Sequence, residues 1–332
     1  MAIAAALDLL MGWFEAKVRQ KRGRGRKIIA GAAILCAMFL AVLPLGLADS
    51  TGENELVLYD GSISESQLMH HMVKLLVEDK TDLNVVIKDQ MSGVNNFKAL
   101  TASPPTCDIM LSYDGTLLTT FLHLDPTDVP ENMTLYDFAT EKAEQQYGVH
   151  MMGKLGFDNT YAVAVPESIA ERYSLRCVSD LVPVAGELTF GAEHEFFTQE
   201  GSMKYGPFTK FYGLSFRNAV SVDASLKYAA VESGSFEVTE VFATDGLNRK
   251  AGLRVLDDDL NFFPEYNGAL VVRDDVFEKF SGAAPELESV LNSLVGMISN
   301  EDMVDMTYRV DVLGETVDDV ALDFLKSRGL IG

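Results

Sequence analysis

The sequence predicts an α/β fold with a mostly parallel sheet covered by helices on both faces. Three observations predict it. Short β-branched runs alternate with apolar stripes at helical spacing, and this alternation continues to about residue 270. The remainder of the chain has a helical pattern throughout. At 332 residues, 48% hydrophobic and 23% charged, the chain is long enough for a large core and unlike a disordered one. No internal repeat and no low-complexity tract interrupts it.

The first fifty residues carry a separate signal. Ile28 to Ala48 (IIAGAAILCAMFLAVLPLGLA) is free of charge and about as long as a hydrocarbon core is thick. Lys17, Arg19, Lys21, Arg22, Arg24, Arg26 and Lys27 lie just before it and are expected on the cytoplasmic side. Residues 1–27 therefore read as a cytoplasmic segment, 28–48 as a membrane anchor, and 49–54 (DSTGEN) as a polar linker to an extracytoplasmic remainder. Gly46, Leu47 and Ala48 also form a small-x-small cleavage pattern, which is the competing reading. Leu35 before Cys36 argues against lipidation there.

Beyond Ala48 the chain carries 20 basic and 47 acidic residues. That field repels nucleic acid and anionic lipid and mildly concentrates cations. Two cysteines, Cys107 and Cys177, lie in this part and make no disulfide framework; they are expected as free thiols.

In chain order, Leu56 to Tyr59 reads as a strand. Ser64 and Gln67 have capping-box spacing ahead of a helical stripe of Leu68, Met72, Leu75 and Leu76. A strand follows at Asn84 to Ile87, a helix near Val94 to Leu100, a strand at Asp108 to Leu111 and a helix from about Gly115. After a loop rich in Asp and Pro come the strand Thr160 to Val165 and a short helix, then the strand Glu187 to Gly191. Helices near Met203 to Phe211 and Ala224 to Glu232, and strands at Glu237 to Phe242 and Ala269 to Val272, complete the alternation. In the helical tail Thr316 can cap the last helix and Gly329 can end it.

Five segments, in order, resemble the binding proteins of quaternary-ammonium ABC importers, which take glycine betaine, carnitine and choline. They are Ile63 to Glu78, CDIMLSYDGT (Cys107 to Thr116), GFDNTYAVAVP (Gly156 to Pro166), Ala224 to Gly246, and LRVLDDDLNFFPEYNGALVVR (Leu253 to Arg273). The closing VALDFLKSRGL is similar to that family's last helix. The resemblance implies a type II periplasmic-binding-protein-like fold. Lobe 1 is expected over 55–157 plus 267–332 and lobe 2 over 158–266, with the ligand between them and no chemistry done on it. An ABC permease and its ATPase are the implied partners. Upstream, AAALDLLMGWFEAKV is similar to the tail of such a permease, as in a permease-binder fusion.

A quaternary ammonium head group offers no hydrogen-bond donor, so the attraction left to a protein is the negative face of aromatic rings. The resemblance nominates four tyrosines for this cage: Tyr113, Tyr161, Tyr228 and Tyr266. Thr116 can donate one hydrogen bond to the ligand. Asp114, where the family has threonine, can add negative charge, and Ser66 or Gln67 can reach the ligand from the first helix. Phe262 and Phe263 read as core or hinge packing, and Thr244 and Asp245 as structural.

The departures fall where a ligand carboxylate would be held. Gly61 stands near the family's first basic residue and Gln199 where it has an arginine; Lys204 or Arg217 is a candidate substitute. This favours choline over glycine betaine. Another cationic solute, such as carnitine or a polyamine, is the alternative within the class, and an osmolyte-sensing ectodomain is the alternative outside it. No cofactor is implied. His70 and His71, as neighbours on a helix, are expected to diverge, and His123, His150 and His194 to stand alone, so no metal site is expected. The chain contains no P-loop, no G-x-S-x-G and no Gly-rich dinucleotide loop.

Overall fold

The computed structural model describes residues 54–198 and 203–332. The basic segment, the apolar segment, the linker up to Glu53, and Gln199 lie outside the described residues. Among the described residues no helix is long and apolar enough to cross a membrane.

β1 (Glu55–Tyr59) and β2 (Asn84–Lys88) pair in parallel, joined by the helix Ser64–Lys80. That helix buries Leu68, Met69, Met72, Val73, Leu76 and Val77, one face at 3.6-residue spacing. Its start differs from expectation. Ile63 is the N-cap and makes no side-chain cap bond, because the chain turns one residue earlier than the Ser64–Gln67 spacing suggests. Ser64 Oγ instead donates to Asp311 Oδ2 at 2.7 Å, and Gln67 Nε2 donates to the Gly61 carbonyl at 3.1 Å.

β3 (Ile109–Tyr113) and β4 (Val149–Met151) flank β10 (Gly268–Arg273), both antiparallel to it. Asp108 joins this sheet to β1: its N–H donates to the Val57 carbonyl at 2.8 Å and its carboxylate accepts from Val57 N at 2.9 Å. The first lobe thus sets the two-stranded sheet β2-β1 beside the three-stranded sheet β3-β10-β4. The second lobe's sheet has the order β7-β6-β8-β5-β9. It is built from β5 (Tyr161–Pro166), β6 (Thr189–Glu193), β7 (Asn218–Val222), β8 (Val238–Phe242) and β9 (Leu253–Leu256).

The sheets are mixed, which corrects the mostly parallel expectation: three ladders are parallel and four antiparallel. The antiparallel ladders all involve β5 or β10, the first strand after each passage between the sheets. A strand arriving from the other sheet is not bound by the right-handed βαβ crossover that keeps consecutive strands parallel. The two passages meet at a bridge between Asp158 and Asn267, where Tyr266 N donates to Asp158 Oδ1 at 2.6 Å. The result is a two-lobed α/β periplasmic-binding-protein-like fold.

Each lobe has its own core, one around Leu56, Leu68, Leu270 and Phe324, the other around Val163, Phe190, Phe208 and Val238. Thr316 caps the final helix, accepting from Asp319 N at 3.2 Å, and Gly329 leaves it at φ +67°. Cys107 is buried and Cys177 partly exposed, both as free thiols.

Candidate functional site

The C-terminal end of β3 is where the site begins. Tyr113 is the last residue of the strand, and the chain turns at once into the helical turn Asp114–Thr116. Tyr266, on the second passage between lobes, packs against Gly115; any Cβ at that glycine would overlap the ring. This brings the Tyr113 and Tyr266 rings to a stack with centroids 5.3 Å apart and planes 26° apart. The Thr116 hydroxyl fixes the Tyr266 hydroxyl at 2.5 Å, and the Tyr113 hydroxyl donates to Glu65 Oε1.

These residues line a cavity of about 580 Å³ between the lobes. The second lobe contributes Phe242, Thr244, Asp245 and Leu247, from the end of β8 and the loop after it. Asn159 comes from the first passage, and Thr307 and Asp311 from the helix Asn300–Asp311. That helix and the β8 loop sit backbone to backbone, since a Cβ on Gly246 would collide with the Tyr308 backbone. Thr307 Oγ1 seals the contact by donating to the Thr244 carbonyl at 3.0 Å.

Of the residues expected from sequence, Tyr113, Thr116 and Tyr266 are brought together on the cavity wall. Tyr161 stands one layer back, stacked on Phe242 at 5.1 Å and tilted against Phe196 and Phe263 of the second core. Tyr228 directs its hydroxyl to Asp245 Oδ2 at 2.5 Å, so in this structure it holds a lining residue rather than lining the cavity.

Asp114 is buried, accepting from Gly115 N at 2.7 Å and from Asn267 N and Nδ2 at 3.0 and 2.8 Å. Burial pushes its carboxyl up to about 6. It ties β3 to the second passage and is not on the cavity wall. Ser66 faces a smaller chamber of about 190 Å³ behind Tyr113 and Thr116, and Gln67 is held by Gly61.

Among the described lining residues there is no Lys or Arg. Neither candidate substitute is on the wall: Arg217 bonds Thr189 and Glu237, and Lys204 Nζ sits one layer back, 5.7 Å from the Tyr161 ring centroid. The wall carries three carboxylates instead, Glu65, Asp245 and Asp311.

Glu65 and Phe242 are the main residues that sequence reasoning missed. Glu65 is only 4% exposed, and besides Tyr113 it accepts from Asn159 Nδ2 at 3.3 Å and Thr244 Oγ1 at 2.6 Å. Burial pushes its carboxyl up to about 7 against the pull of these hydrogen bonds. The signal for it existed, since extending the Leu68, Met69, Met72 stripe back one turn lands on Glu65, not on Ser66 or Gln67. Asp245, read as structural, both caps the helix Gly246–Lys250 and reaches the wall.

His70 and His71 diverge as expected: His70 is buried, its Nε2 accepting from Leu111 N at 2.9 Å, whereas His71 Nδ1 pairs with the exposed Asp318 Oδ1 at 2.6 Å. One expectation about histidines is corrected. His150 is not alone: Glu144, His150 and Asp274 offer ligand atoms within 4.8 Å of one another, away from the cavity. The pairing of β4 with β10 sets His150 beside the strand end that carries Asp274.

Two lobes, two crossing passages and a lined cavity between them define a solute-binding protein. The chain belongs to the family described as the substrate binding domain of ABC-type glycine betaine transport systems, whose family model matches residues 54–327. It is therefore the solute-binding component of a quaternary-ammonium-type ABC importer and not an enzyme. It is 30% identical to the "Ergothioneine transport permease/ergothioneine binding protein EgtU" of Helicobacter pylori, over 97% of this chain but 56% of that protein. It is 29% identical to the "Carnitine transport binding protein OpuCC" of Listeria monocytogenes, over 91% of this chain and 97% of that one. A crystal structure titled glycine betaine/carnitine/choline ABC transporter superposes with a TM-score of 0.74 at 27% identity, covering 84% of this chain and 99% of that one.

Proposed function

We propose that the chain captures a quaternary ammonium cation that lacks a carboxylate, choline being the simplest, and presents it to an ABC permease. The observation that carries this reading is the cavity wall, stacked rings and three carboxylates with no basic residue among those described. A ligand carboxylate, as in glycine betaine, carnitine or ergothioneine, would enter such a wall without a charge partner. Tyr113 offers a ring face from lobe 1 (55–157 and 267–332), and Tyr266 offers one from the second passage, at the very end of lobe 2. Phe242, with Tyr161 behind it, does so from lobe 2 (158–266), and Tyr228 steadies Asp245. Calorimetric titration with choline, glycine betaine, carnitine and ergothioneine tests this. Choline is expected to bind at least tenfold tighter than the three zwitterions; a tighter zwitterion would overturn the choice.

The same reading places the binding lobes outside the cell, with 28–48 as the anchor. It rests on the seven Lys and Arg that precede that apolar run. Protease added to intact spheroplasts is expected to digest residues 49–332, and a protected C-terminal part would count against this topology.

A further inference from the structure

A buried acid stands on the cavity wall between the lobes. Glu65 belongs to the first turn of the helix Ser64–Lys80, yet its carboxylate is bonded from three other places. Tyr113 reaches it from β3, Asn159 from the first passage, and Thr244 from the far lobe. Thr244 Oγ1 to Glu65 Oε2, at 2.6 Å, is a direct side-chain bond across the cleft.

The charges around it are all of one sign. Asp245 approaches from the loop after β8 and raises the cost of ionising Glu65; Asp311 faces the same cavity from the helix Asn300–Asp311, bonded to Ser64. Tyr113 and Tyr266 are the other titratable groups facing the cavity, and burial pushes both phenols up, so they stay neutral. No lysine or arginine among the described residues lines the cavity to hold Glu65 charged. None of the described lining residues therefore offers the acid a counter-charge, although three donors are aimed at it.

Resting on the quaternary-ammonium reading above, we propose that Glu65 is the counter-charge of the captured cation. Ligand entry then ionises Glu65 and discharges one proton to solvent as the lobes close. The cation supplies the missing positive charge. Once ionised, the carboxylate is a stronger acceptor for the Thr244 hydroxyl, which strengthens the cross-cleft bond. Selectivity follows from the same group. A fixed cation gains from the carboxylate, whereas a neutral molecule of the same shape gains only from the rings, and a zwitterion meets its repulsion.

The experiment is titration calorimetry of the chain with choline from pH 5.5 to 8.5, in pairs of buffers of different ionisation enthalpy. The neutral isostere 3,3-dimethylbutan-1-ol runs in parallel. Choline affinity is expected to rise by about tenfold between pH 6 and pH 7.5, with net proton release near pH 6.5. The isostere should show no such slope. Glu65→Gln should bind choline about tenfold or more weakly at pH 8. It should lose the pH slope, and a native circular-dichroism spectrum shows that the variant is folded. Choline binding with a flat pH profile, or a slope that survives in Glu65→Gln, overturns this proposal while leaving the quaternary-ammonium reading in place. No choline binding by the parent at pH 8 overturns both.

Discussion

Lys227→Met is expected to destabilise the protein by about 3–5 kcal/mol near pH 8, the cost typical of stranding a buried charge partner. Lys227 is 3% exposed, and its Nζ lies 2.9 Å from Glu193 Oε1 and 3.0 Å from Glu240 Oε1. Glu240 is 1% exposed, and its Oε2 has no hydrogen-bond partner. Burial already pushes the Glu240 carboxyl up to about 7, with Lys227 pulling the other way. Its folded pKa thus lies above the ordinary 4.5, so the native state prefers the proton more than the unfolded chain does. That contribution to stability is full below pH 4.5 and is lost as pH rises through 7. Without Lys227 the preference grows, so the damage should be largest at pH 8 and smallest near pH 5.5. Urea unfolding of parent and variant at those two pH values measures it. Equal losses at both would mean that packing of the lysine stem, not its charge, is what matters. The site would feel the change, because Glu240 is two residues from Phe242 and Lys227 adjoins Tyr228.

Much of the alternation was legible because period is a local property. The strand expected at Asn84 to Ile87 is β2, extended by one residue, and the one expected at Ala269 to Val272 is β10, extended at both ends. The elements that escaped notice carry little apolar signal. Helix Leu135–Tyr147 lies in what reads as a loop, and it buries only Phe138, Ala139 and Ala143. Its evidence was at its ends, the Thr134 cap on Asp137 N and Gly148 at φ +63°. β7 is an edge strand with no buried residue, and β9 buries only Leu256. Strand direction was not legible at all, since it follows from which lobe the chain has just left.

For the site, the nomination of Tyr113, Tyr266 and Thr116 came from resemblance, and the structure shows why they meet: Gly115 leaves room for the Tyr266 ring. Phe242 could not be found from strand periodicity. It ends β8 exposed, next to the buried Val241, and lines the cavity from there. The role of Tyr228 depends on Asp245, seventeen residues on, a pairing that no spacing rule reveals.

The double variant Tyr113→Leu/Tyr266→Leu is expected to weaken choline binding by about 2–4 kcal/mol, which is roughly 30- to 1,000-fold. Leucine keeps most of the apolar area but removes the ring face, so what is lost is the attraction between quadrupole and cation. The two rings are stacked at 5.3 Å, and removing either frees its neighbour to move. The single variants should therefore not add to the double, and a double-mutant cycle should show coupling of about 0.5 kcal/mol or more. Phenylalanine variants separate the hydroxyl from the ring. Tyr266→Phe loses only the bond to Thr116, whereas Tyr113→Phe takes a donor from Glu65 and should cost more. The neutral isostere should lose far less than choline in the leucine double variant, because its binding draws on area rather than charge. If the double variant binds choline within twofold of the parent, the rings that stack at the end of β3 are not the cation's cage.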